Sequence, residues 1–399
     1  MKKIGFYAGS FSPVTRGHLG IICEALNDYD QVIVGVGVNE SKQRLFSPED
    51  RVEMINKSLD DLLFEYEYRD LIGIKYSRSE LRALERLANT PDCVKVISYK
   101  GLTIDEALKQ GATSLIRGER IVGDHDSEMQ ISILNKQILE VRKASLNMAT
   151  IPVPREDLTY ISSSNVRTLL ELDEYIAAER YITSSVHSYL MGKKLAETFV
   201  NLLKLCDISK VRSIGCYGDL VKVYNTRRRY HNMSHIGYML NYWRISENFD
   251  YAHAEQEALV ALAIFYHDFV NEGNENDEKA SCAALKDIGL STSLRAELEK
   301  LIMATKHGAL PEEMSLDMKL IHDLDLAILG DTVNYGHYAA NIRWEYSKYD
   351  DKAYKKGRIE VLTKLLSSQP LFLLPKFAEL FEEDARSNMQ KEIAYWQSR

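Results

Sequence analysis

The N-terminal part of this 399-residue chain alternates short apolar runs, rich in β-branched residues, with amphipathic segments. Continuous apolar runs of this length are typical of strands buried on both faces of a parallel sheet. Because parallel strands need crossover connections, the alternation predicts a Rossmann-like, doubly wound α/β sheet. The predicted strands are Ile4–Ala8, Gln31–Val38, Val94–Ser98, Ser114–Arg117 and Ala149–Val153. The predicted helices are Leu19–Leu26, Pro48–Leu63, Ser79–Leu87, Ile104–Gln110 and Asp126–Ala144.

The pattern changes after Asn165, where nearly every segment has helical periodicity. We therefore predict an all-α helical bundle as a second domain. The predicted boundaries are 1–170 for the first domain with an insertion at 64–92, a helical linker at 171–194 with Gly192–Lys194 as the boundary, and 195–399 for the bundle. The predicted helices are Glu171–Leu190, Leu195–Leu205, His235–Glu247, Ala254–Val270, Glu278–Ile288, Ser293–Ala304, Leu316–Leu329, Tyr335–Glu345, Ala353–Leu366 and Pro375–Arg399.

Charge and cysteine usage narrow the class of protein. The formal net charge is −8, so the whole molecule has no electrostatic reason to coat nucleic acid. The five cysteines are scattered and none forms a Cys-x-x-Cys pair, which favours reduced thiols in a cytosol. No secretory leader is recognisable, and no apolar run approaches the ~18 residues of a membrane span. We expect a cytoplasmic protein with neither nucleic acid nor membrane as a partner.

The segment Gly9–His18, Gly-Ser-Phe-Ser-Pro-Val-Thr-Arg-Gly-His, joins the first predicted strand to the first predicted helix. Backbone N–H groups at a helix start, together with the positive end of the helix dipole, suit a phosphate. A histidine beside them can donate hydrogen bonds to charge that develops on a transferring phosphoryl group.

Three more polar segments follow predicted strands, at the edge where a doubly wound sheet binds its ligands. Lys42 follows the second strand, Arg117-Gly118-Glu119-Arg120 ends the fourth, and Ser162-Ser163-Ser164 opens the helix after the fifth. Together with Gly9–His18 they predict a phosphate-binding site at this edge.

These motifs together resemble the bacterial phosphopantetheine adenylyltransferases of the nucleotidyltransferase superfamily. The matching segments read Gly-Ser-Phe-x-Pro with Thr-x-Gly-His, Val-Gly-Val-Asn-x-Ser-Lys with Leu-Phe-Ser-x-Glu-x-Arg-Val, Ile-Arg-Gly-x-Arg, and Ile-Ser-Ser-Ser. The resemblance covers roughly Met1–Leu170 apart from the insertion.

The resemblance implies adenylyl transfer from ATP, accompanied by Mg²⁺, to 4′-phosphopantetheine, with dephospho-coenzyme A and pyrophosphate as products. It makes His18, Lys42 and Arg117 the catalytic residues. The implied nucleotide-binding residues are Gly9, Ser10, Phe11, His18, Gly118, Arg120, Glu128, Ser162, Ser163 and Ser164, and the implied acceptor-binding residues are Ser10, Lys42, Arg117 and Asn135.

Two features depart from this family. Ser12 stands where the family usually has aspartate, and the family lacks the 64–92 insertion. A different phosphorylated acceptor therefore remains an alternative. The resembled enzymes form homo-oligomers, and the sequence leaves open whether the fused α domain obstructs or alters such an assembly in this chain.

The second half contains histidines and acidic residues in separate predicted helices: His235, His267-Asp268, and Asp323 with Asp325. A carboxylate at Asp268 is costly in so apolar a helix unless it is paired or binds metal. Two imidazoles and two carboxylates suit Mn²⁺, Fe, Mg²⁺ or Zn²⁺. The sequence therefore predicts a divalent metal site.

Residues 195–396 also resemble the HD superfamily of metal-dependent phosphohydrolases. The matching text is Arg-Tyr-His-Asn-x-x-His-Ile, Tyr-His-Asp, Asn-x-x-Glu-Lys-Ala-Ser, Ala-Thr-Lys-His, Asp-x-Asp-Leu-Ala-Ile-Leu-Gly and Ile-Arg-x-Glu-Tyr. The resemblance implies His235, His267, Asp268 and Asp325 as metal ligands, with Asp323 as the alternative to Asp325. It places His231, Lys306 and His307 against the substrate or a second metal.

Several alternatives remain open at the level of sequence. Glu275, Asp277 or Glu278 is a candidate general base, and Arg227–Arg229 is either a phosphate-binding run or a solvated face. The hydrolysed substrate is undefined. The α domain is alternatively a regulatory module that binds nucleotide or metal without turnover.

Overall fold

The computed structural model describes residues 2–38, 45–119, 137–142, 144–154, 158–226, 228–245, 254–306 and 313–399. The chain divides into two compact units. The first unit consists of Met1–Glu67 with Ile74–His187, and the second consists of Tyr68–Gly73 with Ser188–Arg399.

The first unit is built on a five-stranded parallel sheet, which confirms the predicted α/β architecture. The strand order is β3-β2-β1-β4-β5. Successive strands are therefore added on one side of β1 up to β3 and on its other side from β4 onwards. In such sheets the crevice at the carboxyl ends of the two strands where the side changes, here β1 and β4, is the usual ligand site. The strands are β1 (Ile4–Gly9), β2 (Gln31–Val38), β3 (Val94–Lys100), β4 (Ser114–Glu119) and β5 (Asn147–Pro152).

The helices of the first unit follow the predicted order. Most of the predicted helix Asp126–Ala144 lies outside the described residues, although residues 137–141 are helical. Helix α2 continues four residues beyond its predicted end, into the predicted insertion. The first seven described helices along the chain are α1 (Arg16–Asp28), α2 (Pro48–Glu67), α3 (Arg69–Ile72), α4 (Arg78–Asn89), α5 (Thr103–Lys109), α6 (Ser163–Glu171) and α7 (Tyr175–Glu179). All of them belong to the first unit except α3, which belongs to the second.

Helices cover both faces of the sheet because successive strand residues point to opposite sides. Phe6 of β1 packs into an apolar cluster with Ile104 of α5. Tyr7 points to the other face, where its ring meets Phe11 edge-on at 5.4 Å between centroids. Phe11 in turn meets the ring of His18 on α1 at 5.1 Å. The core therefore reaches directly to the first candidate site.

Beyond the sheet every described element is helical, as predicted. One helix, α9, was not predicted, because its apolar positions are interrupted by glycines and charged residues. The helices are α8 (Ser184–Leu205), α9 (Lys210–Tyr224), α10 (Met233–Ile245), α11 (Ala254–Tyr266), α12 (Asp277–Ala284), α13 (Thr292–Met303), α14 (Leu316–Leu326), α15 (Tyr335–Glu345), α16 (Asp351–Ser367) and α17 (Pro375–Gln397).

The segment between the units differs from the prediction in two ways. The predicted helix Glu171–Leu190 is broken, since the chain leaves helical conformation between α7 and α8. Helix α8 then passes without interruption through Gly192–Lys194, the predicted boundary, and the two units divide between His187 and Ser188. One glycine flanked by good helix formers is tolerated inside a long helix. Within the described residues, no helix is both long and apolar enough to cross a membrane.

Candidate functional sites in the two units

His18 lies at the third position of α1, at the carboxyl end of β1, and is 8% exposed. The backbone N–H of Thr15 donates to Nδ1 of His18 at 3.1 Å. Nδ1 is therefore the acceptor nitrogen of the neutral ring, which places the proton on Nε2. In this state the ring presents an N–H donor of the kind that stabilises charge on a phosphoryl oxygen.

The loop before α1 is shaped by close packing around Phe11. Phe11 has a φ of 44°, in the left-handed region that non-glycine residues rarely adopt. Its ring lies against Gly9 so closely that a Cβ at Gly9 would sit 2.8 Å from Cζ of Phe11. Glycine is therefore required at this position, because any larger residue would displace the ring that packs on His18.

Arg51 of α2 is a buried positioning residue that the sequence reasoning missed. Its Nη1 donates to the carbonyl oxygens of Ser10 at 2.8 Å and Gly37 at 3.2 Å, and its Nε donates to the carbonyl oxygen of Ser47. One guanidinium thus joins the loop after β1, the end of β2 and the start of α2. A signal was present in the sequence, since Arg51 shares the apolar face of α2 with Met54.

Helix α6 is tied to the same loop through two side chains. Ser163 donates from Oγ to the carbonyl oxygen of Pro13 at 2.7 Å, and Arg167 donates from Nη1 to the carbonyl oxygen of Ser12 at 2.5 Å. Ser162 caps α6 by accepting the N–H of Asn165. The start of α6, where Ser164 follows, is thereby fixed beside the loop that carries His18.

Arg117 and Gly118 lie at the carboxyl end of β4, the strand next to β1. A Cβ at Gly118 would collide with Cδ1 of Ile21 on α1, so glycine lets α1 approach the sheet. These two residues therefore border the crevice where the strand order reverses. The other predicted site residues, Lys42, Arg120, Glu128 and Asn135, lie outside the described residues.

In the second unit, the structure brings together the side chains of His235, His267, Asp268 and Asp325. One nitrogen or oxygen atom from each lies within 4.8 Å of the others. The Nε2 atoms of His235 and His267 are 3.1 Å apart, and Nε2 of His267 is 3.0 Å from Oδ2 of Asp268. Nε2 of His235 lies 3.4 Å from Oδ1 of Asp325. The two-nitrogen, two-oxygen donor set fits a divalent cation.

The ring orientations of the two histidines are fixed differently. Nδ1 of His267 lies 3.0 Å from the carbonyl oxygen of Ile264 and donates to it, which leaves Nε2 as the coordinating atom. Nδ1 of His235 is buried and has no hydrogen-bond partner among the residues that the structure describes. His235 is instead held by ring packing, with Tyr230 at 4.8 Å between centroids.

The electrostatics of the cluster favour charge pairing. Burial acts to raise the pKa of Asp268, but His267 and His231 outweigh it and hold that pKa below its usual range. Burial acts to lower the pKa of His267, yet Asp268 and Asp325 raise it well above the ordinary histidine value. Burial lowers the pKa of His235. The Asp268 carboxylate therefore stays ionised, the form in which a carboxylate can bind a cation.

His231 lies beside this cluster, with Nε2 3.9 Å from Oδ2 of Asp268. Its Nδ1 lies 2.6 Å from Oε2 of Glu345 and donates to it. Burial acts to lower the pKa of His231, whereas Glu345 and Asp268 raise it. Glu345 had no role in the sequence reasoning, although it stands in the quoted segment Ile-Arg-x-Glu-Tyr.

The structure distinguishes the roles of Asp323 and Asp325, which the sequence left as alternatives. Asp323 is fully buried and accepts the N–H groups of Leu373 at 2.8 Å and Leu374 at 2.7 Å. It also accepts a hydrogen bond from Nδ1 of His322. Asp323 therefore holds the start of α17, and Asp325 is the carboxylate that meets the histidines.

Some other predicted residues have structural contacts. Lys306 donates from Nζ to the carbonyl oxygen of Glu275. Asp277 accepts three successive backbone N–H groups from residues 272–274 through Oδ2, as expected of a loop-ordering carboxylate. Arg228 donates to the carbonyl oxygens of Asp268 and Phe269 rather than forming a solvated face. His307 and Arg227 lie outside the described residues.

Comparisons with known proteins concern the first unit. The family model described as cytidylyltransferase-like matches residues 6–169. Phosphopantetheine adenylyltransferase of Geobacter sulfurreducens is 35% identical over 171 residues, which cover 43% of this chain and 84% of that protein. The Porphyromonas gingivalis enzyme of the same name is 36% identical over 169 residues, which cover 42% of this chain and 88% of that protein.

Among solved structures, nicotinic acid mononucleotide adenylyltransferase of Plasmodium falciparum complexed with NaAD matches at 19% identity and a TM-score of 0.28. The match covers 49% of this chain and 97% of that one, and so low a score carries no structural conclusion. The relatives above are each more than 30% identical and are matched over most of their length. Through its first unit, the chain therefore belongs to the cytidylyltransferase-like family, alongside the phosphopantetheine adenylyltransferases.

Proposed function

We propose that the first unit transfers the adenylyl group of ATP to 4′-phosphopantetheine. A phosphate oxygen of the acceptor attacks the α-phosphorus, the bond from that phosphorus to the bridging oxygen breaks, and pyrophosphate leaves with both electrons of the bond. Such a transfer depends on positioning and on stabilisation of charge rather than on a covalent nucleophile. Mg²⁺ enters with ATP, as it does in phosphoryl-transfer sites generally.

The observation that carries this proposal is the hydrogen bond from the N–H of Thr15 to Nδ1 of His18. It leaves Nε2–H as the donor at the start of α1, where the helix dipole also favours a phosphate. The start of α6 supplies the hydroxyls of Ser162 and Ser164 beside the same loop. We assign to these groups the binding of the triphosphate and the stabilisation of its α-phosphoryl charge.

The test of the first unit's function is identification of the product. The full-length protein is incubated with ATP, Mg²⁺ and 4′-phosphopantetheine, and dephospho-coenzyme A and pyrophosphate are quantified. We expect equal amounts of both products. Because Ser12 and the 64–92 insertion differ from the resembled family, a panel of other phosphorylated acceptors is run in parallel. Pyrophosphate release with one of these acceptors and not with 4′-phosphopantetheine would change the assigned acceptor.

We further propose that the second unit is an HD-type metal-dependent phosphohydrolase, in which His235, His267, Asp268 and Asp325 hold one divalent ion. The convergence of these four donors supports the proposal. Lewis-acid activation of water and of a phosphoryl oxygen is the chemistry that a divalent ion supplies at such a site. The carboxylates of Asp268 and Asp325 would balance the charge of the cation, and His231 faces the same space from the side of Asp268.

The test of the second unit's function combines metal analysis with hydrolysis assays. We expect the purified protein to bind about one equivalent of Mn²⁺ or Zn²⁺ and the Asp268→Asn variant to bind far less. Phosphate release from nucleotides and phosphomonoesters should follow the metal content. Stoichiometric metal without hydrolysis of any compound in a broad panel would instead favour a regulatory module that binds metal or nucleotide.

A further inference from the structure

Glu345 is the last residue of α15, and its side chain is 9% exposed. Its carboxylate accepts hydrogen bonds from a single turn of the chain. Its Oε1 accepts the N–H groups of Arg229 at 2.8 Å, Tyr230 at 2.8 Å and His231 at 3.1 Å. Its Oε2 accepts Nδ1–H of His231 at 2.6 Å. Charged acceptors make stronger hydrogen bonds than neutral ones, so this carboxylate fixes three successive residues and one ring.

The turn that Glu345 holds leads directly into α10, the helix that carries His235. The ring of Tyr230 packs against His231 and His235, each at 4.8 Å between centroids. The same ring also meets Tyr338, which lies two helical turns before Glu345 on α15, at 4.7 Å between centroids. Any movement of the turn would therefore move the surface against which His235 is packed.

His235 depends on this packing more than its partner does. The ring of His267 is fixed by a hydrogen bond to its own helix, whereas Nδ1 of His235 has no partner among the described residues. Metal-binding histidines usually donate their second ring nitrogen to an outer group that orients them. Tyr230 takes over that orienting function for His235 by contact, and Glu345 holds Tyr230 in place.

We propose that Glu345 is the positioning residue of the metal centre, acting on His235 through the Arg229–His231 turn and on His231 directly. This inference rests on the proposed function of the second unit. Glu345 is not among the clustered donors and so is not itself assigned as a ligand.

The test measures metal affinity of the full-length protein with Co²⁺, whose visible absorption also reports coordination geometry. Outer-shell substitutions typically weaken metal binding about 10- to 100-fold, and we expect a loss in this range for Glu345→Gln with an altered absorption spectrum. Glu382→Gln is the matched control. Glu382 also accepts two backbone N–H groups, from Leu371 and Phe372, but it contacts neither the turn nor the clustered donors. Its variant should bind Co²⁺ like the wild type.

A second measurement does not require metal. In the metal-free protein, ¹⁵N chemical shifts of the His231 ring report which nitrogen carries the proton. We expect protonated Nδ1 in the wild type and loss of that preference in Glu345→Gln. If Glu345→Gln does not fold, Glu345→Asp, which keeps the charge but sets the carboxylate back by one methylene, is measured in its place and should also bind Co²⁺ more weakly.

The outcomes separate the two proposals. A wild-type protein that binds Co²⁺ and a folded Glu345→Gln variant of equal affinity would overturn the role of Glu345 and leave the metal site intact. A wild-type protein that binds no Co²⁺ would overturn the proposed function of the second unit. Equal weakening by Glu382→Gln would show that the effect is a general loss of stability and would likewise overturn the role of Glu345.

Discussion

Nη1 of Arg51 lies 2.8 Å from the carbonyl oxygen of Ser10, in the loop that leads to His18. The same nitrogen lies 3.2 Å from the carbonyl oxygen of Gly37, near the end of β2. The proposed adenylyl-transfer site therefore has a buried guanidinium that is bound to backbone carbonyl groups of its loops. It fixes the spacing between the loop after β1 and the strand end that precedes residue 39.

Replacing Arg51 should impair positioning more than folding. In Arg51→Lys the ammonium cannot span three carbonyl groups in a fixed fork, so the loop after β1 loses part of its support. Small misplacements of reacting groups cost on the order of 100-fold in rate, and we expect a fall of that size in kcat for pyrophosphate release. The exposed Glu53→Gln on the same helix should retain the wild-type rate. Equal rates for Arg51→Lys and the wild type would contradict the positioning role.

Replacing each of two aspartates on α14 by asparagine should affect a different property, metal affinity for Asp325 and stability for Asp323. Asp325→Asn removes a carboxylate from the proposed metal site, so we expect a loss of Zn²⁺ affinity beyond the roughly 10- to 100-fold typical of outer-shell changes. Asp323→Asn weakens the hold on Leu373 and Leu374 and should lower stability by about 1–3 kcal/mol. Zn²⁺ titration and urea unfolding of both variants check this. Loss of metal from Asp323→Asn alone would reverse the assignment.

Gly336 and Gly215, two glycines inside helices of the second unit, should respond in opposite ways when each is replaced by alanine. A Cβ at Gly336 would lie 2.5 Å from the carbonyl oxygen of Ile72, which is backbone and cannot move aside cheaply. Gly336→Ala should therefore destabilise the protein by about 1–3 kcal/mol. At Gly215 nothing lies within 4 Å of such a Cβ, so Gly215→Ala should stabilise α9 by about 0.5–1 kcal/mol. The midpoint of urea unfolding should shift in opposite directions for the two variants, and shifts of the same sign would contradict this packing.

The buried pair of Arg358 and Glu392 should make stability depend on acid pH. Nε of Arg358 lies 2.9 Å from Oε1 of Glu392, which is 3% exposed. Burial acts to raise the pKa of Glu392, but Arg358 outweighs it and lowers that pKa. A carboxyl group whose folded pKa is depressed stabilises the fold above its unfolded pKa of about 4.3, and this stabilisation is lost as pH falls through the folded value.

Glu392→Gln tests this dependence directly. Removing one partner of a buried ion pair costs about 3–5 kcal/mol at neutral pH. The variant should also lose less additional stability than the wild type when the pH is lowered below about 4, because the titrating group is gone. Urea unfolding at pH 7 and at acid pH measures both effects. Parallel pH profiles for the variant and the wild type would contradict the lowered pKa.

The parts of the fold that follow local patterns were predictable from sequence. Strand β2 has the predicted bounds, Gln31–Val38, because a buried parallel strand is a continuous apolar run. Helix α9 was missed because Gly215 and Gly218 weaken its helical signal, and only the completed bundle stabilises it. The break between α7 and α8 was also missed, since it depends on contacts such as that of Ser58 with Thr183, distant in sequence.

The same contrast applies to the sites. His18, His267 and Asp268 stand in motifs whose chemistry can be interpreted from residue types. Arg51 and Glu345 act through backbone groups of segments far from them in sequence, and no local pattern specifies such a pairing. The difference between Asp323 and Asp325 likewise depends on which side of α14 meets the start of α17, which only the three-dimensional packing determines.

The most direct test of the account is the rate of pyrophosphate release from ATP by the His18→Ala variant with the acceptor that the wild type uses. Removing one preorganised donor to transition-state charge typically costs about 100- to 1000-fold in kcat, and we expect a loss of this size. Unchanged circular dichroism and unchanged metal content of the second unit would show that the variant is folded. A His18→Ala rate within a few-fold of the wild-type rate would contradict the assignment of the Gly9–His18 segment as the catalytic centre.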